Sequence, residues 1–147
     1  MYLDSCIIVK LLSEESDSSF FDQAAKGQSL SSSELAVTEV FAALLAKERA
    51  GRLSERDRRL AWLQFEEWVE DEQLVLHRLD LRALNKARQQ LERCHPKIPL
   101  RTLDAIHIAA CDISHDFPLV STDVRMRAAG HQLKIPLFPE RLPNDTF

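Results

Sequence analysis

Apolar positions recur along this chain in two rhythms, a helical one and a strand-like one, and their alternation sets the expected architecture. The opening run Tyr2-Leu3-Asp4 reads as a strand that stops at a polar residue, after which Ser5 can cap a helix through Leu12. Phe20, Phe21, Ala24 and Ala25 recur at helical spacing over Asp17 to Lys26, and Gly27 ends that helix. Gln28 to Ser32 follows as a short strand. Ser33 caps a long apolar helix that runs to Ala50 and is closed by Gly51, and Ser54 with Asp57 opens another through Val69, so the two form a helical hairpin.

The second half repeats the alternation. Leu74 to His77 is a strand, and Asp80 to Arg93 is an amphipathic helix carrying Leu81, Leu84, Ala87 and Leu91 on one face. His95, Pro96 and Pro99 mark a loop, Thr102 caps a helix from Leu103 to Ser114, and Pro118 to Ser121 is a buried strand. Val124 to Ala129 is a short helix stopped by Gly130, and a last strand lies at Leu133 to Ile135. Strands and helices alternate without repeats or a linker, which predicts one α/β domain over residues 1–147, with a mainly parallel sheet covered by helices on both faces. In such a sheet the ligand site lies outside the carboxyl ends of the strands.

Composition narrows the chemistry. With 147 residues, 45% of them apolar, the chain can bury a real core, which excludes a disordered segment. Nineteen Lys and Arg against twenty-three Asp and Glu give a charge of −4, so no chain-wide basic field exists and any nucleic-acid contact must be local. Cysteines 6, 94 and 111 form no CxxC pair, which points to a reducing cytoplasm and a fold without disulfides. The three glycines, 27, 51 and 130, exclude a Gly-rich phosphate loop. The N-terminal apolar stretch carries Asp4 and Lys10 and has neither a basic leader nor a small-residue cleavage site, so the chain is expected to be soluble and cytoplasmic, with no membrane partner.

Most of the acids belong to solvated runs such as Glu66 to Glu72, but four do not. Asp4 ends a central strand; Glu39 stands inside Leu35 to Ala46, a helix apolar around nearly its whole circumference, and is expected to be buried; Asp104 opens the apolar helix Leu103 to Ala110; Asp123 follows the strand Leu119 to Ser121. All four can face one crevice. A buried ionised carboxylate protonates or is compensated, and no Arg or Lys adjoins Glu39 in its helical run, so a shared divalent cation is the expected compensation. Oxygen ligands without paired Cys or His suit Mg²⁺ or Mn²⁺, which can meet substrate phosphates, and phosphodiester hydrolysis follows. Taken singly, each acid also has a structural reading: Asp4, Asp104 and Asp123 as helix-start residues, and Glu39 as a side chain reaching solvent.

Four segments carry a resemblance: Tyr2-Leu3-Asp4-Ser5, Ser33 with Glu39 beyond it, Arg101-Thr102-Leu103-Asp104-Ala105-Ile106-His107-Ile108-Ala109, and Leu119-Val120-Ser121-Thr122-Asp123. In this order and spacing the chain resembles the PIN-domain family, and within it the VapC-type toxins of bacterial toxin–antitoxin pairs, over nearly its full length. The resemblance implies a three-layer α/β/α fold with a five-stranded, mainly parallel sheet. It implies a Mg²⁺- or Mn²⁺-dependent endoribonuclease leaving a 5′-phosphate and a 3′-hydroxyl, a cognate VapB-type antitoxin, and a homodimer. Its site roles carry over to Asp4, Glu39, Asp104 and Asp123 as catalytic metal ligands, with Ser5, Ser33 and Ser121 orienting carboxylates or phosphate. Cys6 stands where many members have Ser, Ala or Asn.

Other constellations in the chain have plainer readings. His107, Cys111 and His115 share one helix at spacings of four, yet no fourth soft ligand completes a zinc site and core packing is favoured, with His107 as a hydrogen-bond partner of the acids. Asp112 reads as a solvated face. Arg101 and Arg125 are candidates to grip RNA phosphates, Arg127 a weaker one, and surface ion pairs are the alternative for each. Trp62, Phe65 and Trp68, with Phe41, Leu44 and Leu45, give the hairpin more apolar surface than a one-sided helix needs, which suggests a docking face for an antitoxin segment or a second copy. An aspartyl-phosphate hydrolase is disfavoured because position 6 is Cys, where a second Asp is usual. The non-catalytic alternative, a PIN-like domain that only binds RNA or a partner, predicts a missing acid, and all four are present.

Overall fold

Each strand of the central sheet except the last is followed by at least one helix, and this spacing forces parallel pairing, because a crossover must return the chain to the same edge. The structure, a computed structural model, describes residues 1–145 and 147. The strands are β1 (Tyr2–Leu3), β2 (Leu30–Ser33), β3 (Leu74–His77), β4 (Leu119–Val120) and β5 (Leu137–Phe138), all parallel, in the order β3-β2-β1-β4-β5. The helices of the described residues are α1 (Ser5–Leu12), α2 (Ser18–Ala25), α3 (Leu35–Arg49), α4 (Glu55–Glu70), α5 (Leu81–Cys94), α6 (Thr102–Ser114) and α7 (Val124–Leu133). None of them is long and apolar enough to cross a membrane.

The two-residue period of the strands divides the core. Leu3 and Val120 face the layer of Ile7, Ile8, Phe21, Val40, Leu44 and Phe65 from α1 to α4. Tyr2 and Leu119 face the opposite layer, where Ile108, Cys111, Met126 and Leu133 come from α6 and α7. The result is the expected three-layer α/β/α sandwich. Chain order runs outward from β1 through β2 to β3, whereas β4 and β5 lie on the other side of β1. The segments leaving β1 and β4 therefore diverge, and the crevice between them is the topological switch point at which open α/β sheets hold their ligands.

Several boundaries differ from the sequence reading for packing reasons. The second strand is Leu30–Ser33 rather than 28–32, set by its register with β3 from Leu30 opposite Leu74 to Ser33 opposite His77. Ser33 thus closes a strand, and α3 starts at Leu35 after Glu34. Gly130 does not stop α7, which continues to Leu133 and ends at Lys134 in the left-handed region, φ 61°. Gly130 is needed for a close approach: a Cβ there would lie 2.7 Å from Leu137 Cδ2 of β5. The last strand is accordingly Leu137–Phe138, beyond the expected Leu133 to Ile135. The hairpin aromatics pack inward, with Phe65 buried, Trp62 and Trp68 packed on the same core and Phe41 edge-on to Trp62 at 4.8 Å. Leu60 and Leu63, 53% and 51% exposed, are the large apolar residues that α4 leaves outside.

Candidate active site

Asp4 follows β1 and stands at the N-terminal end of α1, yet its carboxylate makes no capping bond to that helix. It is buried, and its Oδ2 accepts from Ser121 Oγ at 2.7 Å and from Cys6 Sγ at 2.9 Å. Burial, followed by the neighbouring Asp4 charge, pushes the Cys6 thiol well above its ordinary range, so Cys6 stays a protonated donor. Ser121 also accepts from the Asp123 backbone N–H at 3.0 Å, and so ties the segments after β1 and β4 together across the switch point.

Glu39 is half-buried rather than buried, its side chain 24% exposed, because α3, though apolar around most of its circumference, is not covered all round: Val37, Ala42 and Ala46 face outward. Its compensation comes from a different helix. Glu39 Oε2 accepts from His107 Nε2 at 2.6 Å and from Ser5 Oγ at 2.6 Å. Burial opposes ionisation of Glu39, but the His107 and Ser5 hydrogen bonds and the His107 charge outweigh it and hold the carboxyl below its ordinary range. His107 is itself buried, with Nδ1 2.9 Å from the Tyr2 hydroxyl.

Asp104 lies in the first turn of α6. Its Oδ2 is buried with no hydrogen-bond partner among the described residues, and its carboxyl is pushed up from 3.8 to about 6 by burial and then by the Asp123 and Asp4 charges, with Arg101 and His107 acting the other way. Asp123 caps α7, its Oδ1 accepting from the Met126 N–H at 2.8 Å. The capping reading is therefore correct for Asp123 and does not displace the other, since the cap uses one oxygen.

A cleft of about 490 Å³ is lined by Asp4, Ser5, Cys6, Glu39, Asp104, Thr122 and Asp123, so all four acids from four distant segments reach one space. Among the described residues no three acid, His or Cys side chains converge tightly enough to cage an ion as they stand. Lys10 and Lys47 line the same cleft and are both held by Glu15, at 2.8 and 2.6 Å. Beyond Thr122 and Asp123 the surface continues into a second cleft of about 530 Å³ bounded by Lys97, Ile98, Pro99 and Arg125.

The remaining expectations sort clearly. Ser5 Oγ donates to Glu39 and Ser121 Oγ to Asp4, whereas Ser33 Oγ accepts from the Leu35 N–H at 3.2 Å and bonds none of the four acids among the described residues. Arg101 is exposed beside Asp104, whereas Arg127 is fully buried and clamps Asp145 with Nε and Nη2, each 2.7 Å from a carboxylate oxygen, so it faces no ligand. Cys111 is buried in the core and His115 stacks on Phe117, so no zinc set forms with His107. Asp112 pairs with Lys86 at 2.8 Å in a separate cleft between α5 and α6. Sequence reasoning missed Tyr2, Cys6 and the Lys10–Glu15–Lys47 rim; only the Lys10 charge inside an apolar helix hinted at the rim.

A family model described as PIN domain matches residues 1–132, nine-tenths of the chain, and the chain belongs to the PIN domain family. PIN domains are usually Mg²⁺-dependent nucleases, and the family typically uses divalent ions. No curated protein gives a significant match to the chain.

Proposed function

We propose that this chain is a cytoplasmic Mg²⁺- or Mn²⁺-dependent endoribonuclease of VapC type, one PIN-like domain over residues 1–147. We further propose that it is the toxin of a pair, that it forms a homodimer and that a VapB-type antitoxin restrains it. One observation carries the reading: Asp4, Glu39, Asp104 and Asp123 line one cleft at the switch point, where Asp104 keeps a buried, unpartnered oxygen under the repulsion of Asp4 and Asp123. Excess negative charge with free hard oxygens fits a divalent cation, and these four residues would hold it. A bound divalent ion supplies a polarised phosphoryl oxygen and a water of lowered pKa.

The chain's own residues do the rest. Ser121 and Cys6 fix the Asp4 carboxylate, and Ser5 and His107 fix Glu39, so two of the four acids are oriented before substrate arrives. Arg125 and Lys97 border the adjoining cleft, where they can accept RNA phosphates flanking the acids, and Arg101 stands exposed beside Asp104. Leu60 and Leu63 on the hairpin of α3 and α4 supply the apolar contact offered to the antitoxin or the second copy. The test is cleavage of cellular RNA with mapped ends. Wild-type protein should cut with Mg²⁺ or Mn²⁺, leave 5′-phosphates and stop in EDTA, and Asp4→Asn should not cut. Metal-independent cleavage, or equal cleavage by Asp4→Asn, would remove the assignment.

A further inference from the structure

The structure assigns Tyr2 and His107 as a positioning pair that fixes the Glu39 carboxylate for the bound cation, an inference that rests on the nuclease reading above. A carboxylate only accepts, so the 2.6 Å contact requires a proton on His107 Nε2. With a neutral ring Nδ1 accepts from the Tyr2 hydroxyl 2.9 Å away, and with a charged ring Nδ1–H donates to it; in both forms the hydroxyl holds the ring and Nε2–H points at Glu39. Tyr2 remains a phenol, since burial pushes its pKa far up. The series Tyr2 hydroxyl, His107 ring, Glu39 carboxylate is continuously hydrogen-bonded, and it runs from the first residue of β1, through α6, to a side chain on α3.

Stability alone does not explain this choice of residues. Tyr2 is 0% and His107 1% exposed, packed edge-on with ring centroids 5.9 Å apart, and Tyr2 belongs to the buried layer of Ile108, Met126 and Leu133. Replacing both members of a buried hydrogen-bonded pair by apolar groups of the same shape is close to neutral for folding, so a Phe and a Leu would fill the space equally well. What the polar pair adds is a directed N–H at the cleft wall. Glu39 needs it: its stem leaves a half-exposed helix, and a free side chain of that length would spread over many rotamers. Ser5 and His107 both bond Oε2, which sets the plane of the carboxylate and directs Oε1 away from the shared contact. Partners of this kind, one bond removed from a metal, orient the ligand and tune its basicity.

The experiment compares full-length wild type with Tyr2→Phe, His107→Leu and His107→Gln, reading Mn²⁺ affinity by titration calorimetry without RNA, and kcat and KM for RNA cleavage. Tyr2→Phe and His107→Leu should each weaken Mn²⁺ and lower kcat by about ten-fold or more. KM for RNA should stay within about two-fold, because the pair touches no phosphate. His107→Gln, whose amide N–H reaches near the place of Nε2–H, should recover most of the loss; a residue needed only for packing would not be rescued by a flexible amide. The inference is overturned if Tyr2→Phe and a folded His107→Leu bind Mn²⁺ and cleave like wild type, or if Gln rescues nothing. An effect in His107→Leu alone overturns the part given to Tyr2. If His107→Leu does not fold, Tyr2→Phe, which removes one hydroxyl, decides. A wild type that itself neither binds Mn²⁺ nor cleaves overturns the nuclease reading and this inference together, and is recognised by the silence of the parent protein.

Discussion

Replacing Asp104 by Asn should stabilise the metal-free protein while destroying its activity, a combination that an ordinary helix-start acid cannot produce. Asp104 is held at about 6 against an ordinary 3.8, by burial first and by Asp123 and Asp4 next. At about 1.4 kcal/mol per pKa unit the shift corresponds to roughly 3 kcal/mol. Solvent screening at a half-buried carboxyl reduces this to about 1–2 kcal/mol. The folded protein binds this proton more tightly than the unfolded chain does, so the ionised form opposes folding. The penalty is absent well below pH 3.8, grows between 3.8 and about 6, and is complete above that. Asn keeps the shape and removes the charge, so near neutral pH in EDTA the variant should melt about 2–8 °C above wild type. At acid pH, below the ordinary Asp range, the two curves should approach each other. Added Mg²⁺ should raise wild type by mass action and the variant less, narrowing or inverting the gap. A variant no more stable than wild type at neutral pH, or stabilised equally at both pH values, would refute the argument that repulsion and burial at Asp104 are uncompensated.

Asp4→Asn should keep its far-UV circular dichroism and lower kcat by about 100-fold or more, as loss of several kcal/mol of transition-state stabilisation requires; steady-state cleavage measures it. Lys97→Ala combined with Arg125→Ala should raise KM for RNA by about three- to ten-fold with kcat nearly unchanged, and flatten the salt dependence of binding; a kcat effect of the same size would place these residues elsewhere in the mechanism. Asp145→Ala leaves the guanidinium of Arg127 buried and unpaired, so it should cost about 3 kcal/mol, read as a lower urea midpoint, and a loss below about 0.5 kcal/mol would show that the carbonyls of Ser121 and Pro139 suffice to hold Arg127.

The parts of the site that could be read in the sequence are those whose signal is local. Asp4, Asp104 and Asp123 stand out because a polar residue ending an apolar strand or opening an apolar helix breaks a rhythm within a few positions, and the strand order then brings those ends together. What could not be read is pairing at long range. Glu39 has no basic neighbour along its own helix, which by itself points to a cation, whereas His107, sixty-eight positions away, supplies a hydrogen bond. Arg127 looks like any surface arginine until the tail from Pro139 to Asp145 is folded back over it. Gly130 carries the ordinary signature of a helix stop, and only the proximity of Leu137 shows that its missing side chain serves packing instead. Tyr2 and Ser33 differ for the same reason: alternation tells which face of a strand a residue takes, not which polar atom waits there.

The structural and functional readings of these acids turn out to be compatible because a carboxylate has two oxygens. The hydrogen bonds to Asp4 fall on Oδ2, those to Glu39 on Oε2, and the cap made by Asp123 uses Oδ1. In each case the fold occupies one oxygen and thereby fixes the plane of the group, and among the described residues no hydrogen bond reaches the other. Asp104 follows the same logic in a more extreme form, since its Oδ2 is buried without a partner. A helix cap or a serine contact seen alone would argue for structure; three carboxylates held on one side only, around a fourth whose ionisation is opposed by burial and then by the Asp123 and Asp4 charges, describe a site built to keep oxygens oriented and unspent. The cost of that arrangement is the burial and repulsion that meet at Asp104, which is why the stability of its Asn variant in the absence of metal bears on function as directly as a rate does.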